Sequence, residues 1–180
     1  MSDYQTKIGK LTTLLFFLFF SIFFSSCEKD KTTSAPNQNE SPTGALIQTS
    51  GCKNELAKVP ADTISSNYDC ILYQYDGIST LTLQHINTGF NCCPDTVMAD
   101  INIEGNQIHI VEKEGMGLCN CLCLFDLTYE ITNVQSESYH LTLSQMYLAD
   151  QDSSFNFTID LKQSASGRYC LYRQNYPWGL

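Results

Sequence analysis

Residues 115–134 read G-M-G-L-C-N-C-L-C-L-F-D-L-T-Y-E-I-T-N-V, and no other stretch limits the possible folds so strongly. Cys119, Cys121, Cys123, Phe125, Leu127, Tyr129 and Ile131 occupy alternate positions, while Asn120, Asp126, Thr128 and Glu130 occupy the other set. That is the period of a half-buried β-strand. Leu122 and Leu124 interrupt the polar face, so part of it is expected to be covered as well. Thiols at i and i+2 of a strand stand roughly 7 Å apart, at or beyond the reach of a disulfide, so each should find its partner elsewhere in the chain. The strand is therefore expected to be a hub of cross-links.

The first 26 residues have the layout of a removable export signal. Lys7 and Lys10 precede an apolar run over 11–24 that is broken only by Thr12, Thr13 and Ser21, too short and wrongly flanked for a comfortable spanning helix. The run ends in Phe24-Ser25-Ser26-Cys27, which resembles a bacterial lipoprotein lipobox, although Phe24 stands where leucine is usual. The resemblance implies that Cys27 becomes the mature N-terminus and carries a diacylglycerol and an acyl chain, the only prosthetic groups expected. Such chains, at about 0.8 kcal/mol per buried methylene, hold a protein on a membrane. Residues 28–44 lack apolar periodicity and are rich in Ser, Thr, Pro, Asn and charge, as in a flexible tether. The start of that tether, Glu28-Lys29-Asp30-Lys31, is similar to the charged export tract of Bacteroidota lipoproteins. The expected location is the bacterial outer membrane, facing either the cell surface or the periplasm.

Export changes the meaning of the cysteines. Beyond Cys27 there remain Cys52, Cys70, Cys92, Cys93, Cys119, Cys121, Cys123 and Cys170, an even number that in this compartment favours disulfides over thiolate metal sites. Structural zinc also prefers C-x2-4-C, whose turn lets two sulfurs converge, whereas C-x-C on a strand spreads them. No metal ligand set is therefore expected. Forbidding bonds within the triplet and between the adjacent Cys92 and Cys93 still leaves on the order of fifty connectivities. Cys92 and Cys93 are the nearest upstream candidates, so at least one of them should bond to the triplet.

From residue 45 to 180 the chain reads as a single β domain. Segments 70–75 and 79–86 flank Asp76-Gly77, and 96–104 and 107–112 flank Gly105-Asn106, the marks of two hairpins. Residues 87–94, with Asn, Gly and Pro, read as a turn-rich loop. After the hub come 138–147, 154–161 and 167–173, and residues 54–59 could hold one helical turn. About eight short strands spaced near ten residues apart predict an all-β fold. An antiparallel, disulfide-stapled β-sandwich is expected, with a small lipocalin-like barrel as the alternative.

The candidate chemistry is thin. Removing residues 1–26 takes away Lys7, Lys10 and Asp3, so the formal charge of −9 becomes −10, which argues against nucleic acid as a partner. G-x-S-x-G, H-E-x-x-H and P-loop patterns are absent, and no catalytic residues are assigned. His85 continues the inward face of Leu81 and Leu83, while His109 and His140 oppose the apolar faces of their strands. The loop Asp150-Gln151-Asp152-Ser153-Ser154 has alternate oxygens but lacks the glycine and distal glutamate of a calcium loop. Tyr169, Tyr172, Tyr176 and Trp178, interleaved with Arg168 and Arg173, are the candidate binding surface, since exposed aromatics and arginine make binding hot spots. The expected function is an interaction module with a protein or glycan ligand. The alternatives are a carbohydrate-binding accessory protein and a hydrolase. A hydrolase would need a concave surface gathering two carboxylates and a histidine; a binding module would present a flat or convex face bearing Tyr176 and Trp178.

Overall fold

The computed structural model describes residues 40–53, 64–117, 119–148 and 154–174. They form nine strands: β1 (Thr43–Thr49), β2 (Tyr68–Tyr75), β3 (Leu81–Asn91), β4 (Val97–Glu104), β5 (Gln107–Glu114), β6 (Leu122–Thr132), β7 (Ser138–Ser144), β8 (Phe155–Asp160) and β9 (Ser166–Tyr172). One sheet runs β1-β6-β3-β2-β9 and the other β4-β5-β7-β8. The two sheets do not join into a barrel, so the fold is the expected sandwich. The 54–59 turn and most of the 150–154 loop lie outside the described residues.

Alternation generates each layer. Ile71, Leu81, Leu83, Phe125, Leu127, Tyr129 and Ile131 from the five-stranded sheet meet Ile108, Ile110, Tyr139, Leu141, Leu143, Phe155 and Ile159 from the four-stranded one. Polar residues take the opposite positions on β7 and β8, and on β4 all but Met98. At one margin β1 lies against β4, where a Cβ on Gly44 would stand 2.6 Å from Cγ2 of Ile101. At the other, Phe157 of β8 stacks on Tyr169 of β9 at 4.5 Å.

Both hairpins form across the expected turns. Oδ1 of Asp76 accepts the amides of Ile78, Ser79 and Thr80. Burial pushes this carboxyl up, and the amides of Thr80, Ile78 and Ser79 outweigh it and hold the group below the usual range. Gly105, with φ +57°, supplies the left-handed residue of the second turn.

The nine strands of the described residues agree with the expectation of about eight, the addition being β1, a short edge whose inward positions are only Gly44 and Leu46. Three expectations need correction. One pair is parallel: β5 and β7 run in the same direction, since β6 leaves for the other sheet, pairs between β1 and β3, and the chain then returns beside β5. Residues 87–91 are strand, not loop. Asn87, at φ 69°, is a bulge where the β3–β6 register shifts, and Thr88 and Phe90 beyond it are fully buried. Finally, the hub strand starts at Leu122, so Cys119 and Cys121 precede it and only Cys123 lies within it; Cys121 is exposed. The covering expected on the polar face falls on Leu124, which is buried.

Candidate functional site

Asp69 on β2, His85 on β3 and Glu112 on β5 each fall on the inward phase of their strands, among residues that are otherwise apolar. Packing the sheets brings the three together. Nδ1 of His85 lies 2.5 Å from Oε1 of Glu112, and Nε2 lies 2.6 Å from Oδ1 of Asp69. The second carboxylate oxygens are also used. Oδ2 of Asp69 accepts from Nε of Arg173 at 3.0 Å and Nη2 at 2.5 Å, and from Nε2 of Gln145 at 2.9 Å. Oε2 of Glu112 accepts the Thr88 hydroxyl at 2.7 Å, while Tyr129 donates to Oε1 at 2.5 Å. Arg173 also donates to Oε1 of Gln145 at 3.1 Å and stands 5.8 Å from the Phe155 ring centroid.

The cluster carries two acids and two bases, so its formal charges cancel when all four groups are ionised. Burial alone would depress the His85 pKa, but the carboxylates of Glu112 and Asp69 raise it to about 10, so the ring is an imidazolium donating through both nitrogens. Burial likewise pushes Asp69 up, and His85 and Arg173 more than reverse this, holding it below the ordinary carboxylate range. Burial and the Glu112 charge push the Tyr129 phenol up, so it remains a donor.

Two carboxylates and a histidine are the constellation a hydrolase would need, but it sits inside the molecule. Asp69 and His85 are 0% exposed and Glu112 and Arg173 are 2% exposed. Every carboxylate oxygen has a partner within the protein, and the Thr88 hydroxyl is committed to Glu112. As arranged, the cluster clasps the sheets together and offers no open position for a substrate. His109 and His140 stand apart from it on the outer face of the second sheet, beside Thr142 at 2.6 Å and Thr158 at 3.3 Å respectively.

The cysteines stand in four pairs at bonding distance: Cys52–Cys123, Cys70–Cys170, Cys92–Cys121 and Cys93–Cys119. Each triplet cysteine pairs outside the triplet, and both Cys92 and Cys93 reach it. Cys70 and Cys170 are direct cross-strand partners in β2 and β9. The other three pairs gather at one end of the sandwich. There Oδ1 of Asn91 accepts the amides of Cys93 and Cys119 at 3.0 and 2.8 Å, and its Nδ2 donates to the Cys119 carbonyl.

The aromatic group expected as a binding surface is divided. Tyr169 faces Phe157 and Phe155 between the sheets, whereas Tyr172, three residues on, points from the outer face and meets Tyr68 edge-on at 5.5 Å. Arg173 is not interleaved with surface aromatics as expected; it is buried in the ionic cluster, which attracts it more strongly than a hydrated surface position would. Arg168 lies on the outer face beside Leu72. Cys27, Tyr176 and Trp178 lie outside the described residues. The sequence reading assigned no role to Asp69, Glu112 and Gln145, and it placed Arg173 among the surface aromatics. Its available signal was a charge on the inward phase of a strand, seen for His85 and equally present at Asp69 and Glu112.

Comparison of the chain with known protein families, curated proteins and solved structures finds no significant match.

Proposed function

We propose that this chain is an outer-membrane lipoprotein, anchored by acyl chains on Cys27, whose sandwich serves as an interaction module for a protein or glycan. The observation that carries this reading is the closure of the acid–base cluster. Asp69, His85 and Glu112, a grouping suited to general acid–base chemistry, are consumed in holding the two sheets, while recognition-type residues remain outside. The outer face of β3, β2 and β9 has a shallow groove lined by Leu72, Gln74, Thr82, Gln84 and Arg168. Beyond the Cys70–Cys170 cross-link it continues to Tyr68 and Tyr172, 45% and 59% exposed. A flat, mixed face with aromatics and an arginine suits binding better than turnover.

The test uses full-length lipidated protein in detergent, presented to a glycan array and to envelope fractions. Replacing both Tyr68 and Tyr172 by alanine should weaken retention of a captured ligand by roughly thirtyfold, as for the loss of about 2 kcal/mol at a hot spot. The melting temperature should barely move, because both rings are exposed. Retention indifferent to this pair and to Arg168→Ala would count against the reading.

A further inference from the structure

We propose that Cys52, Cys92 and Cys123 form a three-sulfur exchange site, entered through the exposed Cys121, at which an external small dithiol causes the Cys52–Cys123 cross-link to move onto Cys92. The Sγ atoms of these three residues all lie within 4.8 Å of one another, although Cys92 is bonded to Cys121 and Cys52 to Cys123. Two cystines thus share one cluster of sulfur, which Cys93 and Cys119 do not join.

The backbone holds this cluster independently of the bonds within it. The amide of Cys92 donates to the Cys121 carbonyl at 3.1 Å, and the amide of Lys53 to the Leu124 carbonyl at 2.8 Å. Phe90 and Asn91 pair with Cys123 and Leu122 in the β3–β6 ladder. Opening a disulfide here therefore leaves the sulfurs adjacent.

Cys52 and Cys121 are both exposed, Cys92 is half-buried and Cys123 buried, so an outside thiolate reaches either cystine at its exposed sulfur, and the attack that frees Cys92 is the one on Cys121. It bonds to that sulfur, and the Cys92–Cys121 bond breaks with its electron pair leaving on Cys92. The second thiolate of the dithiol displaces Cys121, so the dithiol is oxidised to its cyclic disulfide and the cystine is reduced to two thiolates. The Cys92 thiolate then attacks Cys52 or Cys123. Their bond breaks, a new one forms to Cys92, and the displaced sulfur leaves as the thiolate, with no net redox change in this second step. Protons equilibrate with water according to each thiol's pKa.

The full-length Cys121→Ser protein tests the second step without a reductant, because among the eight paired cysteines it leaves a single thiol, at Cys92. After incubation at mildly alkaline pH, acid quench and alkylation, peptide mapping should find the label shifted from Cys92 alone onto Cys52 or Cys123 as well. Cystine peptides joining Cys92 to one of those residues should accompany it. Label confined to Cys92, with Cys52–Cys123 intact, overturns the proposal. Cys119→Ser serves as the control, since it frees the sequence neighbour Cys93; label should stay on Cys93, and equal spreading there would show general scrambling and overturn the proposal too. Should Cys121→Ser not fold, native protein with limiting dithiothreitol gives the same discrimination. Early label on Cys121 with a new Cys92 cystine supports the site. Early label on Cys92 and Cys121 together with Cys52–Cys123 unchanged, or on cysteines outside these four, refutes it.

Discussion

Replacing His85 by alanine leaves the Asp69 and Glu112 carboxylates in the core, Asp69 with Arg173 still beside it and Glu112 with only the hydroxyls of Thr88 and Tyr129. Removing one partner from a buried ion pair costs about 3–5 kcal/mol, a large part of the net stability of an ordinary domain. Denaturant unfolding of His85→Ala should show a loss of that size. The same cluster fixes a pH dependence. The folded pKa of His85 is raised to about 10, so its contribution is fully present below the unfolded value near 6.5 and is lost as pH rises toward 10. Asp69 is lowered, so its contribution is present above about pH 4 and is lost as pH falls through its folded pKa. Unfolding free energy measured across pH should therefore be greatest between about 4 and 6.5 and should decline on the alkaline side; in His85→Ala that decline should flatten. Retention of the alkaline slope in the variant would show that another group causes it. Part of the cluster was legible in the sequence: Asp69, His85 and Glu112 each interrupt the apolar phase of a strand, and two negative groups with one positive invite mutual compensation. Gln145 and Arg173 were not, because each lies just past a strand end where periodicity gives no direction.

Among the elements, β6 lies between β1 and β3 in its sheet and takes three cross-links at or just before its start. Two of these are nested: the Cys93–Cys119 loop of 26 residues lies inside the Cys92–Cys121 loop of 29. Closing either loop restricts the unfolded chain by about 3–4 kcal/mol in the chain-entropy view. Once one is closed, however, the other adds only a few residues of further constraint. Removing either pair by double serine substitution should thus lower the melting temperature far less than removing both, a marked non-additivity. Equal, additive losses in the three variants would contradict it. Alternation identified eight of the nine strands because each has several apolar residues on one phase. It passed over β1, whose inward face is Gly44 and Leu46, and it took the bulge residues around Asn87 for a loop, since Asn and Gly serve both purposes. Strand direction leaves no mark in alternation, so the parallel β5–β7 pair followed only from the placement of β6.

For the whole molecule, lipidation is the most direct matter to decide. Metabolic labelling of cells with a palmitate analogue should mark the protein, and Cys27→Ser should abolish the mark; label persisting in that variant would remove the anchor from the proposed function. None of the described residues forms a helix long and apolar enough to cross a membrane, so attachment by this part of the chain is not through a spanning helix.

An anchor at Cys27 would also transmit mechanical load. Tension arriving from the N-terminal side enters the described domain near Thr43, on a seven-residue edge strand held to β6 by one ladder of six residue pairs, the kind of contact that peels residue by residue. Peeling stops soon. Cys52, three residues past the end of β1, is tied to Cys123 in β6, so the pull can release only the chain between Thr43 and Cys52. That segment spans roughly 35 Å at full extension, after which the force bears on β6, which stays paired with the central strand β3. The same cross-link therefore acts as a travel stop, and a domain tugged by flow or by a bound neighbour would lengthen and recover without unravelling.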